Sequence, residues 1–524
     1  MTTAEPSSMP RHPRVRATPS RWLVFAISWM LLGVLSVGWA VTTPVSASPD
    51  EPAHMVKAAS VARGQLVGDW SELGQVVQVP LYIAYTHSRT CTAFEPGRSA
   101  DCQVEIGGDT SGLVDSTTTA GLYNPVYYGL IGWPTLFIGD VSGVYVMRIV
   151  SAVLASLFLA FAACVAFTLR RRSTPLAALA IGSPPMLFFL SGAVNPNAVE
   201  TTATIAAFAA MMAIVRQPDR TLLPERSLIL MASAAVAVNT RAVSPLWVLI
   251  ALVIPLVLAG WPRVRELARS RWVQASIVVV AVATGFAVFW TVHSATLPGQ
   301  RLENFQEYPG AGTSPVSGFI HMVRELLGYS QAMVGNFGWL DTPAPLVVYF
   351  IWAVLSGALI FGAISILRGR SLVAAIALIA AFVVVPAAIQ GVYVTNGGYI
   401  WQGRYNLALF AILCYGLGQL IAERLSESNT QLKRRALALV WVGWAYAQLV
   451  CFAIALQRYA VGADGTWGQV IRDPDWTAPG GNLTWLILAT AAIFGIATLG
   501  WVCGWRQTSG RHEAEGANAA VPAG

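Results

Sequence analysis

The chain has 524 residues, 55% of them hydrophobic and only 11% charged. Soluble domains carry roughly 25% charged residues, so a water-covered globule of this size is excluded. The formal charge of +7 does not point to nucleic acid, because the arginines fall in short clusters between apolar runs, as membrane orientation signals do.

Residues 1–21 are polar, contain Arg11, Arg14, Arg16 and Arg21, and are expected to form a disordered cytoplasmic tail. Trp22 to Val41 then supplies about 20 apolar residues, enough for one crossing. Val45-Ser46-Ala47 resembles a signal-peptidase site, but the apolar run exceeds the 7–15 residues usual for such a peptide, which favours an uncleaved anchor. Residues 43–142 form a long polar loop whose Asn124 to Ile138 stretch is too short to span and reads as an interfacial helix. Further spans are predicted near 143–169, 174–193, 198–215, 227–239, 243–260, 273–292, 345–367, 371–391, 405–422, 436–456 and 483–503. The fold class is therefore all-α and polytopic, with about 12 transmembrane helices in a membrane-embedded domain over 22–503 and a disordered tail over 504–524.

Charge sets the orientation. Alternate connections carry Arg170-Arg171-Arg172, then Arg216, Arg220 and Arg226, then Arg263, Arg265, Arg269 and Arg271. Arg368 and Arg370, and later Arg424, Lys433, Arg434 and Arg435, continue the series. The positive-inside rule puts these in the cytoplasm with both termini, and the 43–142 loop outside a cell membrane. Two short helices over 227–260 keep that parity, whereas one long helix would reverse every later loop. Pro184-Pro185 should kink or break the third span. Pro315 to Met333 reads as an amphipathic surface helix. Cys164, Cys414, Cys451 and Cys503 lie in apolar runs as small buried hydrophobes, while Cys91 and Cys102 sit in the outer loop, where a disulfide is expected.

The most informative stretch is Ser48-Pro49-Asp50-Glu51-Pro52-Ala53-His54-Met55-Val56-Lys57. A helix starting here sets Asp50, His54 and Lys57 on one face, at i, i+4 and i+7. Ser48 as N-cap, Pro49 at N1 and Glu51 at N3 would form a capping box, so Glu51 stands equally as cap or as reactive acid. Asp50 is not needed for the cap and is the acid best placed for chemistry. Arg148, Glu200, Arg241 and Arg404 lie in or beside apolar runs, where ionisable groups are costly and mark functional sites by default. The arginines suit a lipid-linked phosphate through bidentate hydrogen bonds, or else they snorkel or pair with Glu200 and Asp341. Asp341, before Thr342-Pro343, is also a natural turn residue. One His and one Asp do not make a metal site, and no obligate cofactor is expected.

An acidic pair directly after the first span, Pro49-Asp50-Glu51, resembles the GT-C glycosyltransferases. Tyr123-Asn124-Pro125-Val126-Tyr127-Tyr128 is similar to the Pro-x-Tyr-Tyr of that superfamily's second loop helix, and Arg148-Ile149-Val150-Ser151 to its Arg-x-x-Ser. More closely, the chain resembles a bacterial family of membrane proteins of unknown function. The shared markers are Pro-Asp-Glu-x-x-His (Pro49 to His54), Gly-Trp-Leu-Asp (Gly338 to Asp341) and Gln-Gly-Arg-Tyr (Gln402 to Tyr405). Where the family has Asn-Pro-Asp, this chain has Asn195-Pro196-Asn197 and lacks a carboxylate. The resemblance implies transfer of a sugar from a polyprenyl-phosphate donor to a glycan or lipid acceptor of the cell envelope. Asp50, with Glu51 and His54, would be catalytic; Lys57, Arg148, Glu200, Arg241, Asp341, Gln402, Arg404 and Tyr405 would bind substrate. A transporter or flippase of lipid-linked glycans, or a catalytically silent scaffold, is the alternative.

Overall fold

A computed structural model describes residues 20–105, 107–294, 309–425 and 430–519. The expected N-terminal tail thus lies, up to residue 19, outside the described residues.

Among the described residues, nine helices are long and apolar enough to cross a membrane. They are Arg21–Thr42, Ser142–Phe167, Pro196–Arg216, Arg271–His293, Leu346–Ile366, Arg370–Gly397, Gly403–Arg424, Lys433–Val461 and Asn482–Gly504. Two bent pairs raise the number to eleven. Ser173–Ile181 and Pro185–Ser191 meet at 69° across Pro184, as the double proline requires, and Ser244–Ala259 turns by 116° into Trp261–Ala268. The twelfth predicted crossing is the shortfall. Leu223–Ala237 has 15 residues, or about 22 Å of helix, against a hydrocarbon core of about 30 Å. It still runs between the two ends of the bundle: Arg21 meets Glu225 at 2.8 Å, and Asn124 meets Asn239 at 2.8 Å. The final helix continues from Asn482 to Ala519, so the tail expected from 504 is helical over most of its length.

The arginine-rich connections gather at one end. Arg171 donates to the Ala422 and Leu425 carbonyls, Arg172 to Cys503, and Arg216 pairs with Glu423 at 2.5 Å. The polar loop gathers at the other. It is more ordered than its composition suggests, with an antiparallel sheet of Asp69–Ser71, Gly74–Pro80 and Leu113–Thr118 beside the Glu51–Ala62 helix. The predicted interfacial segment is the Pro125–Gly132 helix and a following 3-10 turn, with Trp133, Leu136 and Phe137 exposed. A Cβ on Gly132 would lie 2.1 Å from the Ala58 carbonyl, so only glycine lets this helix touch Glu51–Ala62. The amphipathic stretch is two helices, Pro315–Arg324 and Leu326–Gly335. Cys91 and Cys102 are disulfide-bonded.

One buried ion pair holds the loop onto the spans. Glu51 and Arg148 are both 0% exposed, and the guanidinium meets the carboxylate with two parallel bonds of 2.7 and 2.6 Å. The remaining Arg148 donors go to the carbonyls of Ala40, Thr43 and Pro44, where the first span ends. All five guanidinium N–H groups are thereby satisfied. Glu51 also accepts from the Val194 amide at 3.0 Å, beyond the broken span. This overturns the capping box: the helix begins at Glu51, not after Ser48, and the Ser48 hydroxyl is buried without a partner.

Removing one partner from such a pair strands a buried charge, at a cost of about 3–5 kcal/mol. Arg148→Met should therefore lower the thermal unfolding temperature in detergent sharply, and adding Glu51→Gln should recover part of the loss. An unchanged unfolding temperature in the single variant would refute the clamp.

Candidate active site at the loop end

Asp50 immediately precedes the clamp and takes the N-cap position with φ 63°, a left-handed backbone. Such a conformation costs a non-glycine residue on the order of 1 kcal/mol, and Asp is among the few side chains that tolerate it. Its carboxylate makes no cap; it points away from the helix and is 49% exposed. There it meets the Arg404 Nη2 at 2.5 Å.

Arg404 lies in the Gly403–Asn406 turn that opens the Leu407–Arg424 helix. A Cβ at Gly403 would lie 2.4 Å from the Tyr329 carbonyl, so glycine allows the turn to press against the Leu326–Gly335 helix. Gln390 secures the approach by accepting from the Ile400 and Trp401 amides. The Arg404 side chain is 1% exposed, and its Nε and Nη1 have no partner. The Oε1 of neighbouring Gln402 is likewise buried and unpartnered. Buried donors left open cost about 1–3 kcal/mol each, so this turn is built to receive an acceptor.

Arg241 completes the cationic side. Its Cζ lies 4.2 Å from the Tyr405 ring centroid and that of Arg404 lies 5.2 Å away, so one phenol links two guanidinium groups from distant helices. Arg241 donates to Asn197 Oδ1 at 2.7 Å and stands 3.6 Å from Glu200, whose other oxygen accepts from Ser244 at 2.5 Å. At position 197 the amide supplies an acceptor without a charge, leaving Arg241 only the longer contact with Glu200 for neutralisation.

His54 closes the opposite wall. Its Nδ1 is 2.8 Å from the Tyr128 hydroxyl, and Tyr123 packs edge-on at 5.7 Å. Burial pushes its pKa from 6.5 down to about 4, helped by Arg404 and Arg241 and opposed by Asp50.

Asp50, His54, Glu200, Arg241, Gln402, Arg404 and Tyr405 thus meet at one end of the bundle. Four expected members do not join them. Glu51 and Arg148 are consumed by the clamp. Lys57 is 1% exposed and donates to the Leu66 and Gly121 carbonyls, tying the loop to its helix; burial lowers it to about 7, while those two acceptors favour the ammonium. Asp341 accepts from the Phe94 amide at 2.8 Å and from Arg458 at 3.1 Å, which anchors the disulfide loop to the Lys433–Val461 helix. Tyr123, Tyr128 and Asn197 belong to the site although their motifs alone did not assign them there. Arg458, a clamp rather than a site residue, was detectable as a charge inside an apolar run. Among the described residues, no three His, Cys, Asp or Glu side chains gather to hold a metal.

Residues 32–413 match the family described as "Predicted membrane protein (DUF2142)". The chain belongs to that family. No curated protein matches it. Among solved structures, the crystal structure of ArnT from Cupriavidus metallidurans bound to undecaprenyl phosphate is similar at a TM-score of 0.44 and 16% identity. The alignment covers 94% of this chain and 78% of that one. Similarity at that level assigns neither activity nor residues.

His54 stays neutral in the folded protein down to about pH 4, whereas the unfolded chain takes up its proton near 6.5. Stability from this group is therefore complete above about pH 6.5 and is lost as the pH falls towards about 4. Thermal unfolding across that window should show the decline, and His54→Gln should flatten it. A slope equal in both proteins would show that His54 is not its source.

Proposed function

We propose that this member of the DUF2142 family transfers a sugar from a polyprenyl-phosphate-linked donor to a hydroxyl acceptor of the cell envelope. The reaction takes place on the extracytoplasmic side, where the positive-inside rule puts the loop end. The observation that carries this reading is the pairing of a half-exposed carboxylate, Asp50, with a buried arginine, Arg404, that has two donors still open.

Such an arrangement suits phosphate departure. The acceptor oxygen attacks the anomeric carbon and its proton passes to Asp50, while the bond from that carbon to the phosphate oxygen breaks and its electrons leave with the polyprenyl phosphate. Because the leaving group departs as an anion, no second carboxylic acid is needed to protonate it. The open Nε and Nη1 of Arg404 would receive phosphate oxygens, and Arg241 would stabilise the same charge across Tyr405. An arriving phosphate also competes for Arg404, loosening its hold on Asp50 and freeing the carboxylate oxygen to face the acceptor hydroxyl. His54, neutral and hydrogen-bonded to Tyr128, holds the wall beside Asp50 without adding charge.

Full-length protein is to be assayed in detergent with a polyprenyl-phosphate-linked sugar and an envelope-glycan acceptor. Asp50→Asn should lower turnover by roughly 10²–10⁴-fold with little change in donor affinity. Arg404→Lys keeps the charge and loses the fork, so its main effect should be weaker donor binding. Undiminished transfer by Asp50→Asn would remove Asp50 from the chemistry.

A further inference from the structure

The opposite end of the bundle holds a second basic site that the sugar-transfer reading does not use. A cavity of about 490 Å³ opens between the end of the Pro196–Arg216 helix, the turn that follows it and the Trp261–Ala268 helix. Arg220, Arg226, Arg263 and Arg269 line it, against Asp219 and Glu266. Both acids are already engaged: Asp219 accepts from the Thr221 amide and hydroxyl, and Glu266 pairs with Arg263.

The cations are less fully matched. Arg226 is 3% exposed and donates only to neutral oxygens, those of Ala213, Gln217 and Thr168, and its Nε has no partner. The Nε of Arg263 is also buried and open. Among the described residues, Arg220 and Arg269 form no ion pair, and both side chains are exposed. Four guanidinium groups against two acids leave an excess of positive charge around a cavity of this volume, which suits a phosphate-sized anion with several acceptor oxygens.

The surroundings indicate the anion's source. The preceding helix turns by 116° at Gly260, so the eight residues Trp261–Ala268 run across the end of the bundle and not along it. Leu267 faces inward, while Trp261 is 65% exposed, as an indole at a membrane–water boundary would be. An exposed indole beside this arginine-lined cavity suits the depth at which lipid headgroups lie.

We infer that this cavity binds the phosphate headgroup of an anionic phospholipid from the leaflet at the arginine-rich end. The lipid chains remain in the bilayer, and the headgroup bridges the short Leu223–Ala237 helix region to the Trp261–Ala268 helix.

The test uses full-length protein in detergent, mixed with phosphatidylglycerol or phosphatidylcholine at equal concentration, with retained lipid read by native mass spectrometry. Phosphatidylglycerol should be retained and phosphatidylcholine should not. The double variant R220Q/R269Q should lose roughly tenfold in retention, whereas R434Q/R435Q, matched in charge at the same end but outside the cavity, should lose at most about twofold. Both cavity side chains are exposed, so the variants should elute from size-exclusion chromatography like the parent protein. Equal losses in the two doubles would mean diffuse attraction and overturn the proposal. Displacement of the lipid by millimolar inorganic phosphate would assign the cavity to a soluble anion and overturn it equally.

Discussion

The buried pair of Glu51 and Arg148 is the constraint on which the loop end depends. A charge at 0% exposure is tolerable only when every donor and acceptor is met, and here five guanidinium N–H groups meet one carboxylate and three carbonyls. The Ala40 and Thr43 carbonyls are among those the helix end leaves open, so the arginine also terminates the first span. Through Val194 the same carboxylate reaches the broken span. One interaction thus sets the position of the Glu51–Ala62 helix relative to three membrane segments.

That constraint explains how adjacent acids come to differ. Glu51 is held inside and cannot reach a substrate. Asp50, one residue earlier, takes a left-handed backbone that turns its side chain outward to Arg404, 354 positions along the chain. Neutral, buried His54 beside it adds no competing charge. The cationic wall is assembled from two separate places in the chain, Arg241 and the 404–405 pair, and Tyr405 joins the two arginines through its ring.

The two ends of the bundle handle arginine differently. At the loop end, Arg148 and Arg458 are spent on structure, and Arg404 keeps open donors. At the other end several arginines close helix termini by donating to carbonyls, as Arg171 and Arg226 do, where the helix dipole also favours a cation. The exposed Arg220 and Arg269 at the second cavity, which form no ion pair among the described residues, are the exceptions, which is why that cavity reads as a site.

By itself the sequence determined the class of the protein and the ordering of its parts, because apolar runs and arginine clusters report local transfer free energies that need no tertiary contact. It also determined the break at Pro184-Pro185 and the residues that belong to the DUF2142 family, through motifs whose order along the chain is legible. Only the tertiary structure decided which charges are clamps and which are left open, since that depends on partners hundreds of residues away. Helical spacing put Lys57 with Asp50 and His54, yet two carbonyls of the loop drew it elsewhere. The capping pattern at Ser48 failed for the same reason: a distant arginine offered Glu51 a stronger partner than a backbone amide.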